Sequence, residues 1–110
     1  MLSKNYTINK GDEWGFNITF KNLTIAPENI LFGLKTDFNQ EDYDVIKTLK
    51  DGDIVPNGNL KYTVRLAPED TANLPFENYN YDLRYVTDGR VKTPLGGRIT
   101  ITPTVFNKGN

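Results

Sequence analysis

The sequence predicts an all-β domain whose antiparallel strands form a two-layer sandwich. Large apolar side chains alternate with polar ones over several short segments, which is the period of a half-buried strand. Turn-forming residues separate these segments at intervals of about 8 to 12 residues. The 110 residues also include six Phe, six Tyr and one Trp, and aromatic side chains favour strands.

Three strands are expected in the first third of the chain. A short strand over Tyr6–Asn9 ends at the turn around Gly11. The next strand, residues 14–20, alternates strictly, and its core-facing set is Trp14, Phe16, Ile18 and Phe20. A loop that contains Pro27 then leads to a strand over residues 30–35.

Residues 37–59 have the weakest pattern. A polar stretch precedes an edge strand at 45–49, whose shared face would carry Val45, Lys47 and Leu49. We interpret these three residues as a possible interaction edge. Asp51-Gly52 predicts a primed hairpin turn, because this dipeptide supplies positive φ angles. A short strand at 54–55 and a turn at 56–59 would follow.

The last part of the chain has the clearest pattern. Leu60 to Leu66 alternate as a strand, and Pro68 is expected to open a short helical turn near 68–74. A strand over 78–87 and the turn Asp88-Gly89 come next. The final strand starts at Val91, is expected to break at 94–97, and resumes at 98–102.

These elements amount to about seven strands, the number expected of an immunoglobulin-like antiparallel β-sandwich. The length of 110 residues fits one domain. We therefore expect a single sandwich domain over residues 1–106 and a loose C-terminal tail over 107–110.

One structural corner is predicted after the strand that ends at Leu66. Asp70 and Thr71 would cap the helical turn by accepting backbone N–H groups through their side-chain oxygens. Tyr79 or Tyr81 would then anchor the turn in the manner of a tyrosine corner, in which a hydroxyl group bonds to upstream backbone.

The composition argues against catalysis. The chain has no histidine and no cysteine, which removes the commonest general base, the thiol nucleophile and the commonest zinc ligands. Ser3 is the only serine, and no glycine-rich phosphate loop is present. The sequence therefore predicts no catalytic residue, no cofactor and no metal site, and a protein that is not an enzyme.

Two binding alternatives remain open. The acidic residues of 41–44 and 51–53 would form a calcium cluster if their segments met in a hairpin, although their spacing matches no calcium loop. The aromatic residues would form a sugar-stacking platform if they faced solvent. Trp14 and the tyrosines Tyr79, Tyr81 and Tyr85 are in phase with aliphatic residues, which favours burial instead.

The net charge of −1 argues against a nucleic-acid partner, because phosphate neutralisation requires a basic surface. No run approaches the roughly 20 apolar residues of a membrane span. Neither nucleic acid nor a membrane is expected as a partner.

The order of turns and core positions resembles that of a known protein family. The motifs are Ile8-x-x-Gly11-Asp12, Phe16-x-Ile18, Ile30-x-Phe32-x-Leu34-Lys35, Tyr62-x-Val64-x-Leu66, Glu69-Asp70-Thr71-x-x-Leu74, Tyr79-x-Tyr81-Asp82-Leu83, Asp88-Gly89 and Thr93-x-x-x-Gly97-x-Ile99-x-Ile101. This order is similar to that of small β-sandwich structural proteins of tailed phages and prophages, in particular the N-terminal domain of upper-baseplate proteins. Residues 37–59 have no counterpart in the resemblance and are interpreted as a partner-specific region.

The resemblance implies a non-enzymatic building block of a virion baseplate, tail or neck. It implies contacts with other virion proteins and with copies of itself as a homo-oligomer, and assembly in the cytoplasm of the bacterial host. A carbohydrate-binding or adhesion module of the same fold is the alternative.

Overall fold

The computed structural model describes residues 2–103, which contain nine strands and one short helix. The strands are β1 (Leu2–Ser3), β2 (Tyr6–Asn9), β3 (Trp14–Thr19), β4 (Asn29–Lys35), β5 (Val45–Thr48), β6 (Ile54–Gly58), β7 (Lys61–Leu66), β8 (Asn78–Thr87) and β9 (Arg90–Thr102), and the helix is α1 (Pro68–Ala72). The predicted tail at 107–110 lies outside the described residues.

The strands form two sheets in an immunoglobulin-like order, which confirms the predicted fold class. In the six-stranded sheet the order is β9-β8-β4-β5, and β1 and β2 both pair with the free side of β9. The other sheet has the order β3-β7-β6. The strands β9-β8-β4-β5 correspond to strands G-F-C-C′ of an immunoglobulin sandwich, and β3-β7-β6 correspond to its strands B-E-D.

The core lies between the sheets and is built from the alternating residues of both. Its fully buried members are Tyr79, Phe32, Ile30, Leu34, Ile54, Leu66, Leu83, Ile99, Ile101, Val64 and Thr71. Trp14, Phe16 and Ile18 of β3 are half-buried and pack against this core, so the strand turns its large side chains inward as predicted.

Three aromatic rings span the core where many immunoglobulin domains have an inter-sheet disulfide packed on a tryptophan. Phe32 of β4 lies between Phe16 of β3 and Tyr81 of β8, with ring centroids 5.6 Å away in both directions. Aromatic pairs at this spacing add to the free energy gained by area burial. They connect the two sheets of a chain that has no cysteine.

Several strand boundaries differ from the prediction. The strand Leu2–Ser3 was not expected, because two exposed residues have no periodic pattern. Both β1 and β2 pair parallel with β9. Strand β9 continues through residues 94–97 as one strand, and the expected irregularity is a register shift that places Thr93 and Pro94 opposite Arg84 of β8. Strand β6 extends to Gly58, so its hairpin turn moves to Asn59-Leu60, where Leu60 has a φ of 56°.

The two Asp-Gly dipeptides differ in outcome. Asp88 and Gly89 have φ angles of 51° and 70°, and they join β8 to β9 in the predicted hairpin. The tight turn predicted at Asp51-Gly52 is present, but it does not form a hairpin, because β5 and β6 belong to different sheets. The turn there carries the chain from one layer to the other, and only Gly52 has a positive φ.

Candidate functional site: a glycine-floored groove

A groove of about 580 Å³ crosses the outer face of the six-stranded sheet. Its floor is a transverse row in which Asp82 of β8 is flanked by Gly33 of β4 and Gly96 of β9. Gly97 widens the floor along β9. Since none of the three glycines has a side chain, the sheet face is hollow at this point.

The two rims of the groove come from distant parts of the chain. One rim is the N-terminal segment with Ser3 and Asn5. The opposite rim is the β4–β5 loop, residues 36–44, which places Tyr43 and the exposed Phe38 beside the floor. A side chain at Gly33 would overlap the Tyr43 ring, so glycine at this position lets the ring lie on the sheet.

The β4–β5 loop holds its shape through its own polar side chains. The Asp44 carboxylate accepts hydrogen bonds from the N–H and the hydroxyl of Thr36, at 3.0 and 2.9 Å. The Lys35 ammonium donates to the Gln40 carbonyl at 2.7 Å and lies 4.6 Å from the centre of the Tyr43 ring. Part of residues 37–59, the region with the weakest sequence pattern, therefore forms a defined rim of the groove.

The groove carries charges of both signs. Three cationic side chains, Lys35, Arg84 and Arg98, line it together with the single anion Asp82. Arg84 donates to Asp82 across 3.3 Å, and both side chains of this pair keep contact with solvent. Such a surface suits a ligand that offers hydrogen-bond acceptors and an apolar or aromatic group for Phe38 and Tyr43.

The predicted corner residues have different partners and stabilise different parts of the fold. Ala67 has no side-chain oxygen, and Asp70 supplies the capping bond instead by accepting the Ala67 N–H at 2.6 Å. Thr71 is fully buried and accepts the Gly11 N–H at 2.9 Å, which ties α1 to the β2–β3 turn.

The two tyrosines have separate partners. The Tyr79 hydroxyl accepts the Phe76 N–H at 3.2 Å, in the segment that joins α1 to β8. The Tyr81 hydroxyl donates instead to the Lys4 carbonyl at 2.6 Å, and it fastens the N-terminal segment to the sheet. Burial raises the pKa of both hydroxyls, that of Tyr81 to about 12 with a contribution from nearby Tyr6.

The predicted interaction edge lies on the outermost strand of the six-stranded sheet, but its side chains turn inward. Val45 and Lys47 are paired with core residues of β4, and Leu49 packs against the core. Lys47 forms an ion pair of 3.0 Å with Asp70 of α1. The exposed apolar residue of this strand is Ile46.

Among residues 2–103, no three His, Cys, Asp or Glu side chains come close enough together to hold a metal ion. No helix in the same range has the length and hydropathy needed to cross a membrane. Of the other tyrosines, Tyr6 packs among Trp14, Phe16 and Tyr81, and Tyr43 lines the groove.

No protein-family model matches the chain, and no curated protein matches it. Several solved structures are similar in shape, and two of them are described here. One is the extracellular domain of the voltage-gated sodium channel β4 subunit, which is described as a parallel homodimer that explains a role in cell–cell adhesion. It is 11% identical to this chain with a TM-score of 0.44, and the match covers 94% of this chain and 93% of that one. The extracellular fragment of novel immune-type receptor 11 from Ictalurus punctatus is 12% identical with a TM-score of 0.41, and the match covers 98% and 88%.

Proposed function

We propose that the protein is a non-enzymatic structural protein of a phage or prophage virion, in the baseplate, tail or neck. In this proposal it acts through protein–protein contacts with other virion proteins and with copies of itself. It is assembled in the cytoplasm of the bacterial host. The resemblance of its turn and core motifs to those of phage upper-baseplate proteins supplies this setting.

The observation that carries the proposal is the surface beside the groove. Phe38 is 78% exposed, the most exposed large apolar side chain within residues 2–103, and charged side chains of both signs surround the neighbouring groove. An aromatic anchor beside polar and cationic groups is typical of a protein–protein contact, where Phe and Arg are enriched. The absence of histidine and cysteine from the sequence adds support for a role without catalysis.

Mass spectrometry of purified virions tests the proposal directly. Particles would be collected from the host after prophage induction and separated from soluble protein on a density gradient. We expect this chain to co-sediment with the particles at a fixed copy number. Its absence from intact particles, with the protein found only in the soluble fraction, would overturn the proposal.

A variant pair tests the contact surface in the same experiment. Phe38→Ser combined with Arg98→Glu removes the aromatic anchor and reverses one charge of the groove, and it should reduce incorporation into particles. The matched control is Phe76→Ser, because Phe76 is also an exposed phenylalanine, at 57%, and does not line the groove. Equal incorporation of both variants would place the contact elsewhere on the protein.

A carbohydrate ligand is the second candidate function, and the groove itself favours it. Tyr43 presents an aromatic ring on one rim of the groove, and the side chains of Asn80, Asp82 and Arg84 can form hydrogen bonds with a ligand beside it. Sugars are commonly bound by such a combination of ring and planar polar groups. A glycan array would test this reading: hits that disappear in Tyr43→Ala would support it, and an array without hits would remove it.

A further inference from the structure

Most edges of the two sheets are protected against pairing with another chain. On β5, Lys47 points inward, which is a known protection of edge strands. Strand β6 contains Pro56 and a register shift between Pro56 and Gly58. On the far side of β9, β1 and β2 are only two and four residues long.

Strand β3 is the exception. It lies at the end of the three-stranded sheet, pairs with β7 through six regular register positions, and contains neither a charged residue nor a proline. The Phe20 N–H donates to Leu60 on the β7 side, and bonded and non-bonded pairs alternate along an antiparallel ladder. The N–H and C=O groups of Gly15, Asn17 and Thr19 therefore point to the open edge.

The charges that flank β3 are arranged symmetrically about Asn17. Glu13 lies four residues before it and Lys21 four residues after it, and both side chains are exposed. The ion pairs among residues 2–103 are Lys47–Asp70 and Arg84–Asp82, so neither Glu13 nor Lys21 takes part in one. In an antiparallel pair centred on Asn17, each Glu13 would lie opposite the Lys21 of the second copy.

A seam of mixed polarity runs beside this edge, between β3 and the strands β1 and β9, and its lining includes Lys4, Lys21 and Asn22 as well as apolar side chains. It encloses about 410 Å³ and is lined by Leu2, Phe16, Ile18, Leu23 and Leu95 among others. Leu2 is 67% exposed there. Pairing of six residues alone buries little area compared with a stable interface, and coverage of the seam would add the apolar area that such an interface needs.

We propose that β3 pairs antiparallel with β3 of a second copy of this chain, centred on Asn17, to form a continuous six-stranded sheet. This inference rests on the self-association in the proposed function and names its surface. The three residues whose backbone groups point to the open edge determine the register: Gly15 pairs with Thr19 of the second copy, Asn17 with Asn17, and Thr19 with Gly15. The same register joins Glu13 to Lys21 twice, once on each side of the twofold axis.

Charge reversal tests the register. Light scattering and sedimentation should show a dimer for the unchanged chain. Glu13→Lys alone, or Lys21→Glu alone, replaces two attractions with two repulsions and should raise the dimer Kd about tenfold or more. The double variant E13K/K21E restores opposite charges and should return the Kd to its original value, whereas the control Glu77→Lys should leave it unchanged.

Amide hydrogen exchange locates the pairing independently of the charges. The amides of Gly15, Asn17 and Thr19 should exchange rapidly in dilute protein and become protected as the concentration rises through the Kd. The amides of Phe16 and Ile18 bond to β7 and should be protected throughout.

Three outcomes overturn the inference. If neither single charge reversal changes the dimer Kd, or if the amides of Gly15, Asn17 and Thr19 stay unprotected in the dimer, self-association uses another surface. The proposed function then survives. A folded double variant that does not recover the original Kd contradicts the register. A chain that remains monomeric at all concentrations overturns both the pairing and the proposed self-association.

Discussion

Tyr79 and Tyr81 are only two residues apart on the same face of β8, yet their hydroxyl groups have opposite roles. Tyr79 accepts a hydrogen bond from the backbone of its own corner, and Tyr81 donates one to the carbonyl of Lys4, 77 residues away in the chain. The local bond holds a turn, and the long-range bond holds the N-terminal segment on the sheet.

Removal of either hydroxyl should destabilise the protein by the net free energy of one hydrogen bond. We expect Tyr79→Phe and Tyr81→Phe each to lower the free energy of unfolding by about 1 kcal/mol. Tyr85→Phe is the control, because the Tyr85 hydroxyl has no hydrogen-bond partner within residues 2–103. Urea unfolding followed by fluorescence measures all three, and a Tyr79→Phe variant as stable as the control would contradict the corner.

The raised pKa of Tyr81 predicts a loss of stability at high pH. An unfolded tyrosine ionises near pH 10, whereas folded Tyr81 keeps its proton until about pH 12. Between these values the unfolded state binds fewer protons than the folded state, so the free energy of unfolding falls as the pH rises. The contribution is complete below pH 10 and is lost through about pH 12.

Tyr81→Phe should make this alkaline decline shallower, although the variant is less stable at pH 8. Urea unfolding at pH 8, 10 and 11 measures the slope. Tyr85→Phe again serves as the comparison, and equal slopes for the two variants would show that Tyr81 is not the group responsible.

At the scale of the elements, α1 and β5 depend on each other through one carboxylate. One oxygen of Asp70 accepts the Ala67 N–H that begins the helix, and the other accepts the Lys47 ammonium at 3.0 Å. The side chains of this pair are only 16–18% exposed. Asp70 therefore pairs with the Lys47 ammonium at the inner margin of the sandwich and caps α1 at the same time.

The two partners of this pair should differ in the cost of their loss. Asp70→Ala removes a helix cap and leaves Lys47 without its partner, so we expect a loss of about 2 kcal/mol in the free energy of unfolding. Lys47→Met leaves the cap in place and should cost less than about 1 kcal/mol. Thermal unfolding compares them, with the exposed Glu69→Ala as control, and equal losses for the two variants would show that the cap contributes nothing.

The elements that could be predicted from sequence are those with a regular period or a specific turn residue. Strand β3, strand β8 and the Asp88-Gly89 hairpin follow directly from alternation and from a dipeptide that tolerates positive φ. The Asp51-Gly52 dipeptide is identical in type but joins two sheets, because local φ preference does not determine which strand becomes the next neighbour.

The candidate site was missed for a related reason. Its floor consists of glycines from β4 and β9, which become neighbours of Asp82 only when the sheet forms. Its wall is a loop that owes its shape to Asp44, Gln40 and Lys35 rather than to any hydrophobic pattern. Sequence spacing contains no signal for either contact. The inward turn of Lys47 was missed as well, since a lysine on a predicted edge is normally solvated.

At the scale of the whole molecule, the two ends of the described chain meet on one strand. β1 and β2 pair with β9 across more than 90 residues of sequence, and the Lys4 N–H donates to the Gly96 carbonyl at 3.0 Å. A side chain at Gly97 would overlap the Lys4 carbonyl, so glycine permits this close approach. The N-terminal segment therefore serves both as a rim of the groove and as the acceptor for Tyr81.

Deletion of residues 2–5 tests this link with a thermodynamic cycle. The deletion removes β1 and the Lys4 carbonyl, so the Tyr81 hydroxyl loses its acceptor. In the shortened chain Tyr81→Phe should cost nothing, whereas Tyr79→Phe should still cost about 1 kcal/mol, because the Phe76 N–H remains in place. Urea unfolding of the four variants with their parents gives both values. If Tyr81→Phe still lowers the free energy of unfolding by about 1 kcal/mol in the shortened chain, the Tyr81 hydroxyl stabilises the fold through another partner. If Tyr79→Phe no longer lowers it there, the deletion disturbs the corner as well.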